Sequence, residues 1–87
     1  MITQQEFNSI RPGDFIELGA RTRYTIDTVD VKYGKYMITQ MFYLYYGKPK
    51  YTNDAPYNYN ALKDIITKII KGKISNWRKV IEDGKRV

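Results

Sequence analysis

The chain has 87 residues, 43% of them hydrophobic and 28% charged, with a formal net charge of +6 and neither cysteine nor histidine. That length fits a single domain over residues 1–87 and leaves no room for a second core. Without thiol or imidazole there is no disulfide framework, no thiolate or imidazole zinc site, no cysteine nucleophile and no histidine acid–base pair, so neither a metal, a cofactor nor an enzymatic activity is expected.

Thr3 and Glu6 have the spacing of a capping box, and Phe7 and Ile10 then share one face of a short N-terminal helix. Arg11-Pro12-Gly13-Asp14 ends that helix in a turn. Phe15 to Leu18 reads as a first strand, closed by Gly19. Arg21 to Val31 reads as a second. Tyr24, Ile26 and Thr28 alternate on one side, whereas Val29, Val31 and Tyr33 have the opposite parity. That switch predicts a bulge or twist near Asp27 to Val29, or partial cover on both faces. The stretch Ile10 to Ile16 also resembles the turn that starts many small barrels.

Tyr33-Gly34 reads as a hairpin turn. Tyr36 to Tyr46 reads as the strongest strand, with Tyr36, Ile38, Gln40, Phe42 and Leu44 on one face. Met37, Thr39, Met41, Tyr43 and Tyr45 lie on the other. Gly47-Lys48-Pro49 ends it, Lys50 to Thr52 suits a short fourth strand, and Asn53 to Asn60 reads as a loop. Asn60 is placed as the N-cap of an amphipathic helix over about 60–72, in which Leu62, Ile65, Ile66, Ile69 and Ile70 follow the i, i+3, i+4, i+7, i+8 pattern. Residues 75–83 fit either a helix or a last strand, with a slight preference for the strand. The expected fold is α+β: a small curved antiparallel sheet or open barrel of 4–5 strands, packed against the 60–72 helix, with a short N-terminal helix.

No glycine-rich phosphate loop is present, and Asp27 and Asp30 fall on opposite faces of a strand. No apolar stretch approaches the ~20 residues that span a bilayer, and the apolar face of the 60–72 helix is needed for the core, so no membrane partner is expected. The opening residues lack the regions of a signal peptide, and the expected location is cytoplasmic, that of a host cell if the protein is viral. High Tyr, Asn, Lys and Ile content gives the chain the look of a viral or mobile-element protein.

Two features point to function. Residues 1–30 carry three basic and five acidic groups, whereas residues 31–87 carry twelve basic and four acidic ones. A field that uneven favours an anionic partner. Eight of the nine tyrosines lie between Tyr33 and Tyr59, interleaved with Lys32, Lys35, Lys48 and Lys50. Flat rings beside cations are how single-strand-binding sheets hold bases and phosphates. The expected function is a non-enzymatic module binding nucleic acid, DNA or RNA. Tyr43, Tyr45 and Tyr51 would stack, and Lys48, Lys50, Lys68, Lys71, Lys73, Arg78 and Lys79 would contact phosphate. The alternative is a small viral or mobile-element inhibitor that docks the Tyr/Met stripe on an acidic host-protein surface, and a homodimer fits that reading.

Overall fold

The computed structural model describes residues 1–19, 22–53 and 55–72, together with Trp77, Lys79 and Glu82. In chain order the elements are α1 (Gln4–Asn8), β1 (Phe15–Leu18), β2 (Thr22–Lys32), β3 (Lys35–Tyr45), β4 (Lys48–Tyr51), β5 (Tyr57–Asn58), α2 (Tyr59–Leu62) and β6 (Ile66–Ile70). The fold is α+β, with an unclosed sheet in the order β4-β3-β2-β1-β6 and β5 added to β3. Every strand pairing among the described residues is antiparallel. Six strands form where four or five were expected, and the sheet does not close into a barrel among the described residues.

The N-terminal capping box forms as the sequence predicts. The Thr3 hydroxyl accepts from the Glu6 N–H at 3.1 Å, and Glu6 Oε1 accepts from the Thr3 N–H at 2.9 Å. These bonds hold the Glu6 carboxyl below its ordinary pKa, the backbone bond to Thr3 contributing most. Phe7 and Ile10 are fully buried. They cover one face of the sheet, where Ile16, Ile26, Ile38, Met41 and Ile66 join Ile2 and Leu62 in one cluster. Burying side chains of this size contributes about 1.5–3 kcal/mol each.

The predicted parity switch in β2 is a bulge. Ile26 faces Met41 and Thr28 faces Gln40, which leaves Asp27 extra, and the next pair, Val29 with Ile38, leaves Thr39 extra on β3. The Thr39 hydroxyl donates to that of Thr28 at 2.8 Å across this irregular step. The second shift reverses the faces of β3. Ile38 and Met41 share the helix-covered core, and Phe42 is buried on the other side, its ring 5.8 Å from that of Tyr51. The expected exposed Met37–Met41–Tyr43–Tyr45 stripe is therefore broken: Met41 is core.

The amphipathic helix over 60–72 is corrected to two elements. Asn58, not Asn60, caps α2, its side chain accepting from the Ala61 N–H at 2.9 Å. The helix stops after Leu62, and β6 pairs with β1. Ile-Ile-Thr and Ile-Ile are β-branched and prefer an extended chain, and β1 supplies an edge to pair with. The i, i+3 spacing that suggested a helix has another origin. Lys68 faces Glu17 while Ile66 faces Leu18, so Thr67 is bulged out of register. Ile66 and Ile69, three apart, thereby both turn toward the core. The Thr67 hydroxyl fixes the bulge by bonding to the carbonyls of Glu17 (3.2 Å) and Gly19 (3.0 Å). In the tail, Trp77, Lys79 and Glu82 are helical, against the preference for a strand there. No helix among the described residues is long and apolar enough to cross a membrane.

A buried carboxylate ties the two ends of this framework. Asp14, 4% exposed, accepts from the N–H groups of Arg11 (2.9 Å) and Gly72 (2.7 Å) and from the Lys71 ammonium, which also bonds to the Ser9 carbonyl. Burial pushes the Asp14 carboxyl up, but the Lys71 and backbone bonds together outweigh it and leave its pKa below the ordinary value.

Candidate functional site

Two hairpin turns bracket β3. Tyr33-Gly34 joins it to β2 and Tyr46-Gly47 joins it to β4, and in both the tyrosine and the glycine have positive φ (55° and 73°; 52° and 79°). This is the backbone of a type I′ turn, which matches the strand twist and is usually filled by Asn-Gly. A bulky side chain in this region is strained.

The second turn ends in a cluster of rings and cations. Across the β3–β4 ladder Tyr43 faces Lys50 and Tyr45 faces Lys48, and direct antiparallel partners put their side chains on one face. The Lys50 ammonium lies 5.4 Å from the centre of the Tyr45 ring, a cation–π contact. The Tyr45 and Tyr46 rings meet edge to face at 4.5 Å. Tyr43 is half-buried and meets Tyr24 edge to face at 5.6 Å. Tyr45 is 55% and Tyr46 89% exposed. No acidic residue occurs from Val31 to Asn53, so no carboxylate on β3 or β4 offsets the lysines.

Four of the residues singled out from sequence, Tyr43, Tyr45, Lys48 and Lys50, thus come together in one row. The others do not join it. Tyr51 faces Phe42 on the opposite side of the sheet, and burial first, then the charge of Asp27, raises its phenol pKa. Lys68 is exposed on β6, three strand spacings or about 14 Å from β3. Lys71 is held by Asp14 and Ser9 and serves the framework. Lys79 is exposed, and Lys73 and Arg78 lie outside the described residues.

Several tyrosines of the rich segment are structural. The Tyr36 hydroxyl bonds to the Ile10 carbonyl and accepts from Arg11 Nη1 at 2.9 Å, and its ring meets Phe7 edge to face at 5.8 Å. Burial raises its pKa despite the guanidinium beside it. The Tyr59 hydroxyl donates to the Ile2 carbonyl at 2.7 Å.

The sheet also forks beside the row. Pairing of β2 with β3 ends at Thr25 and Phe42. Beyond that point β2 runs on to Thr22 against β1, and β3 runs on to Tyr45 against β4. The diverging strands enclose a cleft of about 600 Å³, lined by Phe15, Thr22, Arg23, Tyr24, Thr25, Tyr43 and Leu44. A nucleotide pocket lined by Tyr and Arg is a third reading of the sequence, but the sequence does not single out Tyr24 or Tyr46 or place this cleft. A Tyr-Gly pair bounded by strands was a usable signal for Tyr46; Tyr24 needed the pairing register. No family model, no curated protein and no solved structure matches the chain.

Proposed function

We propose that the chain is a non-enzymatic module that binds nucleic acid through the row of Tyr43, Tyr45 and Tyr46 with Lys48 and Lys50. The supporting observation is the cross-strand register that sets each lysine opposite a tyrosine on one face, past the end of the core. Exposed rings offer stacking surfaces that tolerate any base, and ammonium groups alongside meet the phosphates. The resulting affinity depends on salt because each phosphate contact releases condensed counterions.

Fluorescence anisotropy of labelled single-stranded and duplex oligonucleotides at 50 and 200 mM salt tests this. Binding that weakens several-fold over that range, and falls further in Lys48→Gln/Lys50→Gln, is the expected result. Binding insensitive to salt counts against it. A second reading rests on Tyr45 and Tyr46, whose touching rings expose aromatic surface together at 55% and 89%. Such a tip, flanked by cations, suits a hot spot on an acidic host protein that this chain would inhibit. Absence of oligonucleotide binding at low salt, with capture of one acidic partner that Tyr46→Ala releases, would favour it.

A further inference from the structure

The forked end of the sheet has features that the tyrosine–lysine row does not use. Three rings line it, Phe15, Tyr24 and Tyr43, with Leu44 beside them and the hydroxyl-bearing Thr22 and Thr25. The backbone edges of residues 22–24 and 43–45 face each other there without ladder pairing. Arg23 stands at the rim with its side chain 65% exposed, anchored through Nε to Glu17 at 2.7 Å. Tyr43 belongs both to the cleft and to the row, so the two are continuous.

Aromatic walls with open hydrogen-bonding edges suit a flat heteroaromatic group that has its own donors and acceptors. The cleft volume of about 600 Å³ is that of a small-molecule pocket, enough for one base with its sugar. An extended peptide adding to both open edges is the competing occupant. The Tyr24 and Tyr43 rings, in contact at 5.6 Å, bridge the fork and obstruct a strand running through it. A base entering edge-first needs depth and no through-passage.

Resting on the nucleic-acid reading above, we propose that the fork between β2 and β3 receives one unstacked nucleobase of a single strand whose phosphates lie along Lys48 and Lys50. Duplex bases are stacked and paired and do not enter, so the preferred partner is single-stranded. The cations fix the strand and the fork selects its state.

Amide chemical-shift mapping of the ¹⁵N-labelled chain tests this with three probes: an eight-nucleotide oligo-dT, an abasic strand of the same length and charge, and an unstructured acidic peptide. Oligo-dT is expected to shift the amides of Thr22 to Thr25 and Tyr43 to Leu44 as well as those of Lys48 and Lys50. The abasic strand is expected to shift the lysine row only and to bind about tenfold more weakly. Tyr24→Leu is expected to remove most of that tenfold preference. Leu44→Gln, at an exposed position, gives the same test should Tyr24→Leu fail to fold. Oligo-dT shifts confined to the row, or equal binding of both strands, overturn the fork assignment and leave the proposed function standing. Cleft amides that respond to the peptide alone overturn it in favour of strand addition. If neither strand shifts any amide, the nucleic-acid reading itself fails.

Discussion

The Tyr33-Gly34 and Tyr46-Gly47 turns share a dipeptide and a backbone, yet their surroundings differ. At the first, Lys32 and Lys35 face each other across the ladder, and Tyr33 stands 98% exposed. At the second, lysines face tyrosines instead of each other, and Tyr46 packs on Tyr45. The turns lie at opposite ends of the eleven-residue β3, about 33 Å apart along an extended strand. Local chemistry sets the turn, and what the turn can bind depends on the partner strand that it brings alongside. Strain at Tyr46 is held in place with a neighbouring ring; at Tyr33 no ring contact accompanies it among the described residues.

The largest expected effect treats both turns alike. Asp14→Ala leaves the Arg11 and Gly72 N–H groups without their acceptor and leaves Lys71 only the Ser9 carbonyl, and a loss of about 2–4 kcal/mol is expected in urea unfolding. Because the Asp14 pKa is lowered in the folded chain, its stabilisation is complete above the ordinary carboxylate value and disappears as pH falls through the folded value. Stability of the wild-type chain should therefore drop below about pH 4, and the Asp14→Ala chain should lack that part of the acid limb. Neither change should separate one turn from the other.

Charge reversal should separate them. Lys48→Glu/Lys50→Glu is expected to weaken single-strand binding at least tenfold and to lower its salt slope by about 1.4. Lys32→Glu/Lys35→Glu, at the other turn, is expected to change affinity by less than about threefold, through the loss of long-range field alone. Equal effects of the two pairs would mean that net charge, and not the row, drives binding.

A smaller effect isolates the rings. Tyr46→Ala is expected to reduce affinity about fivefold, the low end of stacking on one base, and Tyr33→Ala less than twofold. The smallest concerns the strain itself. Asparagine tolerates positive φ, so Tyr33→Asn should raise stability by about 0.5–1 kcal/mol, read as a rise of several degrees in Tm. Tyr33→Asn should keep binding intact, whereas Tyr46→Asn, which also loses the Tyr45 ring contact, should change stability by less than about 0.5 kcal/mol while losing affinity.

Much of the framework was legible because its signals are local. Thr3 with Glu6, the Phe15 to Leu18 strand and the Tyr33-Gly34 hairpin depend on neighbours within a few residues, and they form as expected. The misread helix over 60–72 and the misread face of β3 share one cause. A bulge inserts a residue, so parity beyond it reverses and spacing within it imitates a helix. Thr67 makes Ile66 and Ile69 share a face, and Thr39 moves Met41 into the core. Only the bulge near Asp27 left a trace in the sequence, as a break in alternation. For the site, Tyr43 and Tyr45 with Lys48 and Lys50 could be grouped because one hairpin carries all four. Tyr24 reaches Tyr43 from another strand, and Lys71 is held by Asp14, fifty-seven positions earlier. Such pairings are set by packing at a distance along the chain.

That last separation bears on how the protein is made. The β2–β3 and β3–β4 hairpins pair residues near in sequence and can form as soon as Thr22 to Tyr51 has left the ribosome. β1 gains its second neighbour only when Ile66 to Ile70 has emerged, and Asp14 is satisfied only after Lys71 and Gly72. During synthesis the hairpins should therefore stand with one edge bare, and the Asp14 clasp should close among the last events. Nascent chains arrested on C-terminal linkers of increasing length, just too short and just long enough to bring residue 72 out of the exit tunnel, should differ sharply in resistance to protease.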